Sequence, residues 1–171
     1  MNRRARETIK RTETTDESMA ARAADMATKV LRGEISLREL AQVPAQALTE
    51  MYTQACEQFA AGEIVGATRT LLALAAVEPR EPTYWFGLGG CQQARAEHQA
   101  AVRCFAVAAL LDSEDPLPHL FAAQSWLALG ERSHANAAVE AAYGCALGRP
   151  DHTETLSQAL RLREAITAEA A

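Results

Sequence analysis

Histidine and cysteine are among the residue types in this sequence that could bind a metal ion or act as nucleophiles. The chain has four of each, and neither set has the close spacing that a metal site requires. They are His98, His119, His134 and His152, and Cys56, Cys91, Cys104 and Cys145. The cysteines fall on apolar, periodic segments, which indicates buried thiols rather than disulfides or zinc ligands. No metal site and no cofactor are therefore expected.

A glycine-rich run, Gly87-Leu88-Gly89-Gly90, superficially resembles a nucleotide-binding loop. It lies inside a predicted helix with no preceding strand, which argues against a phosphate-binding turn. Metalloprotease, serine-hydrolase and P-loop motifs are also absent from the sequence. The neighbouring carboxylates Glu114 and Asp115 fall at a turn, where Asp115 is a candidate helix cap. The sequence therefore predicts a protein that is not an enzyme.

The composition is that of a globular protein, with 49% hydrophobic and 23% charged residues in 171 positions. Abundant alanine and few aromatic residues favour helices packed closely through small side chains. The net charge of -5 argues against a nucleic-acid partner, which would require a basic surface. No apolar run approaches the roughly 20 residues that span a bilayer, and the basic start is not a secretory signal. We therefore expect a cytoplasmic protein that binds neither nucleic acid nor membrane.

Three blocks of 34 residues align without a gap when the chain is divided at residues 48, 82 and 116. Small residues recur at fixed places in each block, as at Ala67, Ala101 and Ala135. Two helices approach closely only where both present small side chains at their crossing. The eighth position holds Ala55, Gly89 and Ala123, and the turn position holds Gly62, Ala96 and Gly130. This period and pattern are typical of tetratricopeptide repeats, each a pair of antiparallel helices.

The predicted fold class is all-α, with three tandem tetratricopeptide repeats between N-terminal helices and a C-terminal capping helix. Caps are expected because a single repeat cannot bury its own apolar faces. Ser36 and Glu39 have the spacing of a capping box at the start of an N-terminal helix. The expected divisions are a disordered segment at 1–17, N-terminal helices at 18–47, repeats at 48–149 (48–81, 82–115 and 116–149), and the capping helix at 150–171.

The concave face of such an array is formed by the first helix of each pair, at five positions in each block. None of the fifteen residues at these positions is charged, although 23% of the chain is. Without Lys or Arg the groove lacks the usual means of binding a C-terminal carboxylate, and it suits the apolar side chains of an extended segment. The predicted peptide-binding residues are Tyr52, Cys56, Phe59, Thr83, Phe86, Gly90, Gln93, Leu120, Gln124 and Leu127.

Two of the three glycines between Gly87 and Gly90 have an interpretation in this repeat frame. Gly89 falls at a helix crossing, where the partner helix requires a small residue. Gly90 falls on the groove, where the absence of a side chain leaves room for a ligand. The frame assigns no role to Gly87.

Two alternatives to a peptide groove remain open at this point. The N-terminal helices or a second copy of the chain could cover the apolar face, although exposed apolar patches usually mark partner sites. The chain could also be a tetratricopeptide scaffold or regulatory protein that binds a folded partner through a charged convex face. Mutations in the groove would then leave partner binding unchanged.

The run from Tyr84 to Gln93 resembles the class II chaperones of bacterial type III secretion. The segments Leu48–Tyr52 and Phe121–Gln124 share this resemblance, which covers about residues 34 to 146. It implies a cytoplasmic, all-helical chaperone that holds hydrophobic translocator proteins before export. The pocket residues that it implies are Tyr52, Cys56, Phe59, Phe86, Gly90 and Gln93, with Leu120 and Leu127 extending the groove.

The same resemblance implies further partners. Homodimerisation through the N-terminal helices and the first repeat is common in the family, and Ala73 and Val77 are the candidate contacts here. Some relatives also work with a transcription activator, which is therefore a second kind of partner to consider.

Overall fold

The computed structural model describes residues 24–26, 28–30, 32–33 and 35–168. The chain divides into two units, one ending at Pro44 and one beginning at Ala45. The segment predicted to be disordered, 1–17, and the predicted start of the first helix, 18–23, lie outside the described residues.

The described part of the first unit is helical at 24–26 and 28–30, followed by Gly33 with a φ of 69°. Helix α1 spans Leu37–Ala41. The predicted capping box at its start is confirmed, because the Glu39 amide donates to Ser36 Oγ and the Ser36 amide donates to Glu39 Oε2. Gln42, in the left-handed region with a φ of 52°, ends the helix.

The second unit consists of three antiparallel helix pairs and a final helix. The first pair is α2 (Ala45–Ala60) with α3 (Ile64–Val77), the second is α4 (Pro82–Ala94) with α5 (His98–Leu111), and the third is α6 (Leu117–Ala128) with α7 (Arg132–Ala146). A short 3₁₀ turn at Pro150–His152 leads into α8 (Thr153–Ala168), the final helix.

The turns and crossings of these pairs follow the 34-residue frame. Gly62, Ala96 and Gly130 all have positive φ, between 58° and 79°, which reverses the chain between the helices of each pair. Ala67, Ala101 and Ala135 have no exposed surface, consistent with small residues at a close helix contact. The predicted fold class is confirmed, since the described residues form tandem helix pairs and no strand.

The core of the second unit is built mostly from small and aliphatic side chains. Phe105 is its largest fully buried side chain and packs with Ala101 and Ala122. A second cluster joins the third pair to the final helix and includes Leu120, Ala123, Ala135, Val139, Ala142, Ala159 and Ile166. Helix α8 therefore covers the end of the repeat array, as a capping helix must. No helix in the described part of the chain is long and apolar enough to cross a membrane.

Candidate functional site

An apolar pocket of about 290 Å³ opens between the first helices of the first two pairs. We call it the inner-face pocket, and we call the surface formed by α2, α4 and α6 the inner face. Helix α2 supplies one wall, α4 the other, and α3 and α6 close the ends. Its lining residues are Tyr52, Ala55, Cys56, Phe59, Leu71, Phe86, Gly87, Gly90 and Phe121. None of them carries a charge at neutral pH, so the pocket is suited to apolar groups.

Two glycines on α4 border this pocket, and they have different effects on it. A Cβ atom added at Gly87 would lie 3.1 Å from the Cδ1 atom of Leu71, so Gly87 allows α4 to pack closely over that side chain. A Cβ atom added at Gly90 would meet nothing nearer than the Phe59 ring at 4.0 Å. The fold therefore does not require glycine at position 90, and its effect there is to leave space in the pocket.

Aromatic rings form the rigid end of the inner-face pocket. The Phe86 ring lies 5.7 Å from the Phe105 ring and 5.2 Å from the Phe121 ring, measured between centroids. Phe86 therefore belongs partly to the core between α4, α5 and α6. Phe59, on the opposite wall, is 41% exposed and is the most exposed aromatic side chain of the pocket.

Tyr52 adds a hydroxyl group to an otherwise apolar wall. Its ring packs against that of Tyr84 with centroids 5.7 Å apart. Burial, and to a smaller extent the neighbouring Cys56, raises the pKa of Tyr52 to about 12. The hydroxyl is therefore protonated at neutral pH, and Tyr52 brings no negative charge to the pocket.

Known proteins share both the sequence pattern and this architecture, although no family model matches the chain. The low calcium response locus protein H of Yersinia pseudotuberculosis is 25% identical over 136 residues, covering 80% of this chain and 81% of the relative. A type III secretion complex from Aeromonas hydrophila superposes with a TM-score of 0.82 at 25% identity, covering 85% of this chain and 97% of the other.

Two further structures each contain a bound segment of another protein. PcrH with the chaperone-binding region of PopD has a TM-score of 0.73 at 26% identity, over 75% of this chain and 97% of PcrH. The Yersinia enterocolitica chaperone SycD with a YopD peptide has a TM-score of 0.72 at 23% identity, over 75% of this chain and 98% of SycD. At this identity the similarity to SycD concerns the fold only. The chain has the architecture of a class II type III secretion chaperone. The resemblance found in the sequence is thus confirmed.

The structure brings five of the predicted peptide-binding residues of this chaperone-like chain together in the inner-face pocket. They are Tyr52, Cys56, Phe59, Phe86 and Gly90. The sequence analysis missed Ala55, Leu71, Gly87 and Phe121, which also line the pocket. Phe121 stands at the repeat position of Gly87, to which the frame assigns no role, and only the packing of the helices shows that Phe121 and Leu71 reach the pocket.

Two predicted polar residues are bonded within the fold. Gln93 Nε2 donates to the carbonyl oxygen of Phe121 at 3.1 Å and to Ser125 Oγ at 2.9 Å, which ties α4 to α6. Thr83 Oγ1 donates to the Glu81 carboxylate at 2.7 Å in the first turn of α4. Neither residue lines the pocket, so their predicted role towards a peptide backbone gains no support from its geometry.

The predicted extension of the groove through Leu120 requires correction. Leu120 has no exposed surface, because α8 and α7 enclose it together with Val139 and Ile166. Leu127 is half-buried against the same cluster. The sequence placed both residues on the inner face correctly by position, but it could not show that the final helix packs against them.

Gln124 remains exposed and lies in a second opening of about 360 Å³ on the inner face. We call it the cap opening, because α8 forms one of its sides and α6 the other. It is lined by Leu120, Gln124, Gln158, Arg161, Leu162 and Ala165. Unlike the inner-face pocket, it includes a charged side chain.

A third opening, of about 560 Å³, lies on the opposite face and is not predicted by the sequence analysis. We call it the outer-face cleft, and the surface formed by α3, α5 and α7 the outer face. Burial lowers the pKa of His119 in this cleft, and Asp115 opposes the shift. The lining is otherwise almost entirely apolar and consists of Val102, Phe105, Ala106, Ala109, Leu110, Ser113, Pro118, His119, Ala122, Trp126 and Ala138.

The candidate dimer contacts lie on α3. Ala73 is exposed and Val77 is half-buried. Val65 and Leu72, on the same helix, are 63% and 55% exposed. This apolar surface of the outer face is available to a partner, and the dimer contacts stay a prediction.

The cysteines differ in burial, which corrects the expectation of four buried thiols. Cys91 is buried and Cys104 half-buried, and burial raises the pKa of both thiols. Cys145 is half-buried, whereas Cys56 is exposed on the wall of the inner-face pocket. All four are free thiols, and the described residues contain no group of three or more His, Cys, Asp or Glu side chains that could hold a metal ion.

Proposed function

We propose that this chain is a cytoplasmic chaperone of a type III secretion system, and that it binds hydrophobic translocator proteins until they are exported. An extended segment of the translocator inserts an apolar side chain into the inner-face pocket. The observation that carries the proposal is this uncharged pocket, formed by Tyr52, Cys56, Phe59, Phe86 and Gly90. PcrH, which shares the fold at 26% identity, is in complex with the chaperone-binding region of the translocator PopD.

The chain acts by occupancy and performs no chemical step. Full burial of one large apolar side chain contributes about 1.5–3 kcal/mol. A single pocket therefore holds its client reversibly, and further contacts along the inner face add to the affinity. Reversible binding suits a protein that must release its client to the export machinery. While bound, the client's apolar segments are kept from aggregating with one another.

Co-expression with a cognate hydrophobic translocator tests the proposal. The wild-type chain is expected to yield a soluble complex. The substitution Phe59→Asp is expected to reduce client binding about tenfold or more, because it places a carboxylate in the wall of an apolar pocket. Phe59 is a better choice than Phe86, since Phe86 also packs against Phe105 in the core. A wild-type chain that leaves the translocator insoluble would contradict the proposal.

A matched control separates this function from the alternative, a scaffold that binds a folded partner. That alternative expects a charged convex face, whereas the outer-face cleft is almost entirely apolar, and Leu110 at its edge, 84% exposed, is the control position. Leu110→Asp is expected to leave translocator binding unchanged if the inner-face pocket is the site. Loss of binding in Leu110→Asp with retention in Phe59→Asp would favour the scaffold. Circular dichroism of both variants checks that each remains folded.

A further inference from the structure

The final helix continues the repeat frame and supplies the first charged residues at its inner-face positions. Positions 34 residues apart on the inner face hold Phe59, Gln93, Leu127 and then Arg161 on α8. Likewise, Gln158 follows Gly90 and Gln124. Gln158 and Arg161 line the cap opening opposite Gln124. Helix α8 thus packs as the first helix of a fourth pair, and the inner-face positions of the frame change from uncharged to charge-bearing at the C-terminal end.

The two openings of the inner face are separated by a closed segment between α4 and α6. Gln93 bonds to the Phe121 carbonyl oxygen and to Ser125 Oγ across these helices. The Phe86, Phe105 and Phe121 rings pack together behind it. An extended segment on the inner face therefore meets an apolar pocket first, then a closed surface, and then the cap opening.

Arg161 is held loosely and retains donors for a ligand. Its Nη1 atom donates to Ser157 Oγ at 2.6 Å, and its Nη2 atom lies 3.5 Å from Glu154 Oε1, at the limit of a hydrogen bond. That carboxylate oxygen also accepts a shorter bond, of 2.9 Å, from Gln158. The Arg161 side chain is 63% exposed, and an exposed ion pair of this kind is weak. A client carboxylate can therefore replace Glu154 with better geometry.

We propose that the cap opening is a second recognition site for the client, at which Arg161 binds a carboxylate of the same extended segment. This inference rests on the proposed function. Neighbouring helix axes lie about 8–10 Å apart, so the two openings, two helix spacings apart, are separated by about 16–20 Å. An extended chain advances about 3.3 Å per residue, which places the acidic residue about five or six positions from the apolar anchor.

A phage-displayed library of random peptides of about twelve residues, the length that spans both openings with short flanks, tests the inference. Selection on the wild-type chain is expected to enrich peptides with a large apolar residue and an Asp or Glu about five or six positions away. Selection on Arg161→Glu is expected to retain the apolar residue and to replace the acidic residue with Lys or Arg. Glu154→Gln removes the competing carboxylate and is expected to strengthen the acidic preference.

Affinities of the enriched peptides complete the test. Arg161→Glu is expected to weaken an acidic peptide about three- to tenfold and to leave its amide analogue almost unchanged, whereas Arg161→Lys retains most of the affinity. Apolar peptides selected without any preference for acid, on both wild type and Arg161→Glu, would overturn this inference and leave the proposed function intact. Absence of enrichment, or peptides that bind Phe59→Asp as well as wild type, would overturn the proposed function and this inference with it.

Discussion

The junctions between consecutive repeats open on opposite faces of the same array. The first junction, between the α2–α3 and α4–α5 pairs, carries the inner-face pocket. The second junction, between the α4–α5 and α6–α7 pairs, carries the outer-face cleft. Both junctions follow the same 34-residue frame. The difference shows that the frame sets where helices cross, while the sizes of a few side chains decide which face opens.

On the inner face, two pairs of equivalent positions account for the difference. Gly87 of the first junction corresponds to Phe121 of the second, and Leu71 corresponds to Phe105. At the second junction the two phenyl rings pack with centroids 5.8 Å apart and fill the space between the helices. At the first junction glycine faces a leucine, and the unfilled volume is the inner-face pocket.

On the outer face, the larger side chains lie at the first junction and the smaller ones at the second. Trp85 and Leu88 of the first junction correspond to His119 and Ala122 of the second. The Trp85 indole N–H donates to the Pro79 carbonyl oxygen at 2.8 Å, so its large ring is anchored across the first junction. His119 and Ala122 are smaller, and they line the outer-face cleft at the second junction.

The largest expected effect comes from the helix crossing within the second pair. In Gly89→Ala the new Cβ atom would lie 2.3 Å from the Phe105 ring, which is fully buried and cannot move freely. We expect the free energy of unfolding to fall by about 1–3 kcal/mol, measured by chemical denaturation. Gly144→Ala on α7 is the control, because its Cβ atom meets nothing within 4 Å. Equal stability of the two variants would contradict the close crossing.

Gly90→Ala should separate stability from binding at the first junction. Its Cβ atom has only an ordinary contact with Phe59, at 4.0 Å, so the better helix propensity of alanine should raise the free energy of unfolding by about 0.5–1 kcal/mol. The added methyl group narrows the inner-face pocket, and client affinity should fall about tenfold or less. A stabilised variant that binds its client as tightly as wild type would show that the ligand does not use this part of the pocket.

The smallest effect concerns pH and the wall of the inner-face pocket. Tyr52 has a pKa of about 12 in the folded chain against 10.0 ordinarily, so the unfolded chain loses this proton first as the pH rises. The contribution of Tyr52 to stability is therefore complete below pH 10 and is lost between about pH 10 and 12. Denaturation across this window should show a shallower decline for Tyr52→Phe than for wild type. If the stability of Tyr52→Phe and of wild type falls equally across this window, the Tyr52 hydroxyl is exposed to solvent in the folded chain.

The repeat architecture was predictable because its signals are local and periodic. Gly62 and Gly130 fall at turns that require positive φ, and Ser36 with Glu39 forms a capping box from neighbouring residues alone. Gly89 was predicted at a helix crossing, and its contact with Phe105 supports that assignment. Each of these features depends on spacing along one helix or between two adjacent helices.

The candidate site was predictable only in part, because it depends on what other helices cover. Tyr52, Phe59 and Phe86 were assigned to the inner face from their repeat positions, and they line its pocket. Leu120 has an equivalent repeat position but lies beneath α8. Gln93 also has such a position, and its amide group instead ties α4 to α6.

The sequence by itself determined the helix pairs, their turns and the absence of charge at the fifteen inner-face positions of α2, α4 and α6. These properties follow from residue types and their 34-residue period, both of which can be read directly from one sequence. Only the tertiary structure decided that Gly87 and Gly90 border a pocket, that Phe121 fills the equivalent space one repeat later, and that α8 brings Arg161 to the inner face. The physical reason is that an opening is the volume left after neighbouring helices pack, and it depends on the sizes of side chains far apart in the sequence.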